Sequence, residues 1–89
     1  MTDDRKAIKG RRAVEQVRGA RGLLGWSQSE LAEAAGLSVP TVRRYETALT
    51  PVSDEAITAI RRALEKAGVE FIEENGGGPG VRLRKRGRK

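Results

Sequence analysis

The stretch that most constrains this chain is Ser27–Glu46, SQSELAEAAGLSVPTVRRYE. It opens on a serine followed three residues later by a glutamate, the capping box that starts a helix. Gly36 comes after the first apolar residues, and glycine accepts the left-handed conformation that ends a helix sharply. Ser38 is a good N-cap for a second helix, and Pro40 lies in that helix's first turn, where a missing N–H costs nothing. The stretch therefore predicts two short helices joined by a tight turn.

Apolar spacing gives each of these helices an inward face. Leu31, Ala32 and Ala35 fall on one side of the first helix. Val42 and Tyr45 are three residues apart on the second helix and can face the same way. Two short helices that meet at a glycine-containing turn of three to four residues form a helix-turn-helix.

Two more helices are predicted around this unit. Between residues 13 and 24 apolar residues recur near the helical period, and Gly25 ends that helix. The other helix begins at the capping residue Ser53 and stops at Gly68. Its apolar stripe consists of Ile57, Ile60 and Leu64.

Gly19 and Gly22 interrupt the first of these flanking helices. Each costs about 1 kcal/mol of helix stability relative to alanine. We expect both to serve close packing of another helix, because a glycine face lets a second backbone approach.

The period changes to that of strands after residue 68. Residues 69–73 are β-branched and aromatic, residues 81–84 alternate, and the turn sequence NGGGPG lies between them. A hairpin is predicted. A phosphate-binding glycine loop is the alternative, but that loop needs a helix after it, and here a strand follows.

A two-stranded hairpin is marginal alone in water, so this one needs cover from its own helices or from another chain. Its open edges and apolar side chains favour a dimer contact. The residues predicted to make that contact are Val69, Phe71, Ile72, Val81 and Leu83.

Charge is concentrated at the two ends of this chain of net charge +6. Residues 1–26 carry seven basic and three acidic side chains, and residues 75–89 carry six basic and no acidic ones. Basic ends suit a polyanionic partner, although basic tails also keep small proteins in solution. The chain thus divides into a flexible basic arm, a helix-turn-helix domain, a hairpin and a basic tail, at residues 1–12, 13–68, 69–84 and 85–89.

Several classes of function are excluded by residues that the chain lacks. It has no cysteine and no histidine, which rules out disulfides, thiolate zinc sites and Ser-His-Asp chemistry. We predict no enzymatic activity, no cofactor and no metal. No long apolar run is present, so neither a membrane span nor a signal peptide is predicted, and a cytoplasmic location is expected.

The central stretch resembles the Cro/repressor, or Xre-type, helix-turn-helix of phage and bacterial regulators. The matching pattern is W-S-Q-x-E-L-A-x-x-x-G-L-S-x-x-T-V-x-x-x-E, and the resemblance covers about residues 14–64. It implies a mainly α, four-helix domain, here followed by a two-stranded β-hairpin, that binds double-stranded DNA. It also implies that Gln28 contacts the DNA backbone and that Arg21 and Glu46 form a structural ion pair. Many relatives have a fifth helix, which the phage repressors use for dimerisation, and this chain has the hairpin in its place.

The third helix, about residues 39–47, is expected to lie in the major groove with its N-terminal residues at base edges. Val39 and Pro40 are apolar but off the inward face, which favours contact with thymine methyl groups over scattered surface exposure. The residues predicted to contact bases are Val39, Pro40, Thr41 and Arg44. Those predicted to contact the DNA backbone are Arg18, Gln28, Ser38 and Arg43.

These patterns favour a bacterial transcriptional regulator that binds duplex DNA as a homodimer. One alternative is an antitoxin or co-regulator whose main partner is another protein. Another is non-specific packaging of nucleic acid by the two basic ends.

Overall fold

Four helices followed by two antiparallel strands make up the fold. The computed structural model describes the backbone of residues 2–47, 51–72 and 80–84, and the side chains of these ranges from residue 13 onward. The elements are α1 (Thr2–Leu24), α2 (Gln28–Ala35), α3 (Val39–Thr47), α4 (Asp54–Lys66), β1 (Val69–Ile72) and β2 (Gly80–Leu83). The predicted fold class, a mainly α domain with a C-terminal hairpin, is confirmed.

Helix α1 starts earlier than the sequence pattern predicts. The pattern places its first residue at Ala13, whereas the helix begins at Thr2. Residues 2–12 contain one large apolar residue and therefore show no apolar periodicity. They include three arginines and two lysines, which are among the better helix formers without any burial. The predicted arm is therefore continuous with α1, and its role at DNA stays a prediction.

The ends of α2 and the start of α3 follow the predicted capping chemistry. The Ser27 hydroxyl accepts from the Glu30 N–H at 3.1 Å, and a Glu30 carboxylate oxygen accepts from the Ser27 N–H at 2.7 Å. Gly36 ends α2 in the left-handed conformation, with φ of 71°. Ser38 caps α3, because its hydroxyl accepts from the Thr41 N–H at 3.2 Å. Local hydrogen bonds thus fix the angle at which α3 leaves α2.

One hydrophobic core joins all four helices and the hairpin. Leu31, Val42, Ile60 and Leu64 have no exposed surface, and burial of each such side chain contributes roughly 1.5–3 kcal/mol. The other buried members are Val14, Val17, Ala20, Ala32, Tyr45, Ala63 and Val69. No helix in the described ranges has the length and apolar character to cross a membrane.

The hairpin packs one face on its own helices. Val69 pairs with Leu83 and Phe71 with Val81, and residues directly opposite each other share a face of a sheet. The inner face therefore carries four of the five predicted dimer residues, and Val69 is fully buried in the core of its own chain. Ile72 lies on the other face. The helices supply much of the cover that the hairpin needs, which leaves fewer side chains for a partner than the sequence suggests.

Polar contacts attach both ends of the hairpin to the helices. The Gln16 side-chain amide donates to the carbonyls of Ile72 at 3.2 Å and Gly80 at 2.9 Å. At the other end the Arg84 backbone N–H donates to the Gly68 carbonyl at 2.6 Å. The sequence gives no spacing signal for the Gln16 contact, because its acceptors are backbone carbonyls more than fifty residues away.

The two glycines of α1 differ in what lies beside them. A Cβ atom at Gly19 would lie 3.3 Å from a methyl carbon of Val81, whereas one at Gly22 would have no neighbour within 4 Å. The predicted close approach is therefore found at Gly19, but a strand makes it instead of a helix. The same prediction is wrong for Gly22.

Candidate nucleic-acid interface

A two-pronged ion pair joins the first and third helices. Arg21 donates from Nε to Glu46 Oε2 at 2.7 Å and from Nη2 to Glu46 Oε1 at 2.8 Å. Only 6% of Glu46 is exposed, and it is the one buried charged residue of the described part of the chain. A guanidinium facing a carboxylate in this parallel geometry is among the stronger polar contacts in proteins. The pair holds the C-terminal half of α3 against α1.

Two further contacts extend this pair to the start of α2. Arg21 Nη1 donates to the Trp26 carbonyl at 2.9 Å, and Gln28 Nε2 donates to Glu46 Oε1 at 3.0 Å. We call Arg21, Trp26, Gln28 and Glu46 the anchor network. The sequence resemblance predicts only its Arg21–Glu46 pair. The Trp26 contribution is a backbone carbonyl, and no spacing rule links Gln28 to Glu46.

The anchor network also sets the ionisation of its members. Burial acts to raise the pKa of Glu46, but hydrogen bonds from Arg21 and Gln28 outweigh it and bring that pKa below its ordinary value. The hydrogen bond to Glu46 raises the pKa of Arg21. Both side chains are therefore charged at neutral pH. The Gln28 amide nitrogen carries two hydrogens, so one N–H remains for an acceptor outside the network.

The outward side of α3 presents a proline and two basic side chains. Pro40, Arg43 and Arg44 are exposed, while Val42 and Tyr45 on the opposite side are buried. The surface predicted to meet DNA is thus the side of α3 that the core does not use.

Val39 departs from its predicted position. Its predicted position is clear of the inward face, but the structure has it half-buried and packed against the core. The reason is helical spacing, because Val39 is three residues before the fully buried Val42 and lies on the same side. Pro40 is exposed as expected.

Two hydroxyls lie together at the N-terminus of α3. Ser38 Oγ and Thr41 Oγ1 are 2.8 Å apart, and Ser38 Oγ also accepts from the Thr41 N–H. One hydroxyl hydrogen is used between them, so the other can be donated to an external acceptor such as a phosphate oxygen. The pair is both a helix cap and a donor at the surface.

Three of the predicted DNA-contacting side chains are arginines. Arg18, Arg43 and Arg44 are all exposed. Across the described residues, none of their guanidinium groups makes a hydrogen bond or ion pair. A guanidinium without a protein partner can donate to a phosphate or, bidentately, to guanine. The structure thus keeps one arginine of this region, Arg21, for the anchor network and leaves these three for a ligand.

This combination of a buried anchor and an exposed basic helix defines a helix-turn-helix DNA-binding domain. A family model described as helix-turn-helix matches residues 17–71, more than half of the chain. The chain therefore belongs to the helix-turn-helix family of the Xre/Cro type, and it is a DNA-binding regulator. No curated protein matches it.

Proposed function

We propose that this protein is a sequence-specific transcriptional regulator that binds double-stranded DNA as a homodimer, with α3 in the major groove. The observation that carries the proposal is the two-sided character of α3. Val42, Tyr45 and Glu46 fix one side in the protein, while Arg43 and Arg44 extend from the other. A helix held in this way presents its outward side chains in one orientation, which is what base recognition requires.

Base contacts are assigned to the N-terminal half and outward side of α3. Arg44 can pair bidentately with guanine, and the exposed Pro40 can contact a thymine methyl group. Thr41 supplies a hydroxyl for either a base or a phosphate. Val39 has less surface to offer because it is half-buried.

Backbone contacts are assigned to groups that surround this helix. Arg18 and Arg43 supply exposed guanidinium groups, Gln28 its second amide N–H, and Ser38 a hydroxyl. Contacts to phosphate place the protein on the duplex and supply much of the affinity, whereas base contacts supply the sequence preference. Binding of this kind weakens steeply as salt concentration rises.

The homodimer follows from the small size of the recognition surface. A single short helix reads only a few base pairs, and a two-fold dimer doubles that number. Its recognition helices would lie about 34 Å apart, matching half-sites one helical turn apart. The hairpin is the proposed dimerisation element, with Ile72 and Leu83 as exposed apolar side chains on its two opposite faces.

Selection of bound duplexes from a random DNA library tests this proposal. We expect enrichment of an inverted repeat whose half-sites are about 10 base pairs apart, centre to centre. A pool that shows no enriched sequence after several rounds would contradict sequence-specific recognition. Enrichment of a single half-site would contradict the homodimer but not the sequence-specific recognition.

A pair of alanine variants separates sequence recognition from general charge attraction. Arg44→Ala should cost roughly 1–3 kcal/mol of binding free energy on the selected site and relax the preference at one base position. Arg62→Ala is the matched control, because it removes the same charge from an exposed position on α4. Equal losses for both variants on selected and unrelated duplexes would favour non-specific packaging instead.

A further inference from the structure

The hairpin has a second face that its own helices do not cover. The register pairs Glu70 with Arg82 and Ile72 with Gly80, and these four residues make up what we call the outer face. The side chains of Glu70 and Arg82 are 44% and 65% exposed, and Ile72 is 37% exposed. The Arg82 Nε atom lies 3.0 Å from Glu70 Oε1. The outer face therefore offers one acid, one base, one apolar side chain and one position without a side chain.

These four residues are arranged so that the face complements itself. Consider a second copy laid on the first, face to face, with a two-fold axis parallel to the strands. That operation places β1 of each copy over β2 of the other, at the same height along the strand. Glu70 of one copy then lies over Arg82 of the other. The Ile72 side chain stays over Gly80 of its own chain, with Cδ1 4.0 Å from where a Cβ would be. The charges match, and the contact is isologous, as a two-fold axis demands.

We propose that the outer face of the hairpin is the contact between two copies of this chain in the DNA-bound dimer. The inference rests on the proposed function, which requires a homodimer, and it names the surface that forms it. The acid–base order favours a second copy as the partner, because the two-fold axis places each acid over a base.

The free edge of β2 is the competing surface for a second copy, and charge argues against it. Pairing two β2 strands across a two-fold axis brings Arg82 and Arg84 of both copies together. Like charges on adjacent strands are destabilising, and basic residues on edge strands protect proteins from this kind of association. The outer face instead brings each arginine to a glutamate.

The area of the outer face determines when the contact forms. Four residues per copy can bury far less surface than the roughly 800 Å² per partner that a stable interface buries. The contact is therefore weak between free molecules. It acts between two copies already held on neighbouring half-sites, where their effective concentration is high. Its signature is cooperative binding to a two-half-site duplex, without a stable dimer in free solution.

A charge exchange tests the proposed order of contacts. The full-length double variant Glu70→Arg/Arg82→Glu keeps the pair within each chain and should bind a two-half-site duplex with wild-type cooperativity. Mixed with a size-tagged wild-type protein, it places carboxylate over carboxylate and guanidinium over guanidinium. Mixed complexes should then form about tenfold less than either matched complex, because the two-fold axis repeats the unfavourable contact. Mixed complexes at the statistical proportion would overturn the proposal.

A steric test does not depend on charge or on the refolding of the double variant. A Cβ at Gly80 would lie 4.0 Å from Ile72 Cδ1, an ordinary van der Waals contact, so its own chain accommodates Gly80→Ala. The added methyl group holds the two copies apart and should reduce cooperativity while leaving the melting temperature and the affinity for a single half-site unchanged. Leu23→Ala is the control, since Leu23 is 44% exposed on α1, outside the outer face. Unchanged cooperativity in a folded Gly80→Ala protein would overturn the proposal.

The single half-site measurement keeps the two proposals apart. If wild-type protein fails to prefer any duplex, the proposed function fails. If it binds a selected half-site and cooperates on two half-sites, but the outer-face variants cooperate equally well, only the assignment of this surface fails.

Discussion

Two arginine–glutamate pairs hold different parts of this molecule, and they differ in exposure and in the number of hydrogen bonds that join them. Arg21 Nε lies 2.7 Å from Glu46 Oε2, with side-chain exposures of 20% and 4%. Arg82 Nε lies 3.0 Å from Glu70 Oε1, with exposures of 65% and 44%. Water competes for both members of the second pair and reaches little of the first. The same functional groups can therefore anchor a helix in one place and form an accessible surface in another.

This difference in exposure gives the two pairs different roles. The buried pair has little surface to offer a ligand, but it fixes α3, whose other side faces outward. The exposed pair fixes little, so its charges are available for a second copy. Removing a pair that anchors the fold should lower the stability of the isolated protein. Removing a pair that contacts a second copy should weaken only the association of the two copies.

The largest effect is expected when the buried pair is broken. Glu46→Ala removes the acceptor of the Gln28 amide and leaves Arg21 with the Trp26 carbonyl alone. Loss of one partner of a largely buried ion pair costs about 3 kcal/mol of unfolding free energy. Urea denaturation measures this. Glu33→Ala, at an exposed position on α2, should change stability by less than about 0.5 kcal/mol. A similarly small loss for Glu46→Ala would show that the anchor network does not stabilise the fold.

Acid should weaken the same anchor. The pKa of Glu46 is lowered in the folded protein, so its contribution is fully present above the ordinary value of 4.5 and is lost as pH falls through the folded value. We expect the stability difference between wild type and Glu46→Gln to shrink as the pH is lowered below 4.5. The effect is smaller than that of Glu46→Ala, because a protonated carboxyl still accepts hydrogen bonds. A difference that is constant from pH 7 to pH 3 would contradict an ionised Glu46 in the anchor.

The two regions also differ in how well the sequence predicts them. The caps of the helix-turn-helix form hydrogen bonds with neighbours three or four residues away, so local rules alone predict this motif. The capping residues are Ser27, Glu30, Gly36 and Ser38. The hairpin is predictable as a pair of strands. Its docking is not, because that depends on contacts such as Gln16 with Gly80, which are distant in sequence and involve backbone carbonyls.

The candidate site shows the same limit at the level of single residues. Helical spacing is enough to predict the half-burial of Val39, because Val39 lies three residues before Val42 and on the same side of the helix. Gln28 is expected at DNA, yet one of its amide hydrogens is used by Glu46. Spacing within a helix thus predicts which side a residue lies on, while its partner across the core needs the three-dimensional structure.

The next largest change in stability is expected where the hairpin packs against α1. Gly22→Ala should stabilise the protein by about 1 kcal/mol, because it improves helix propensity and meets no neighbour. Gly19→Ala brings the same gain in propensity but places a methyl group 3.3 Å from Val81, so its net gain should be smaller or negative. Urea denaturation of the two variants measures the difference. Equal stabilisation by both would mean that β2 does not lie against α1 at Gly19.

The smallest effect is expected at the exposed pair, and it completes the contrast. The hydrogen bond from Arg82 lowers the pKa of Glu70, but both groups stay in contact with water, which can replace each partner. Glu70→Gln should therefore leave the melting temperature of the free protein unchanged within error at neutral pH. The same variant should weaken cooperative binding to two half-sites, because there the carboxylate faces the arginine of a second copy. A marked fall in melting temperature would make this pair a second anchor instead of a recognition surface. The outer face would then have a structural reason to carry its two charges without any partner.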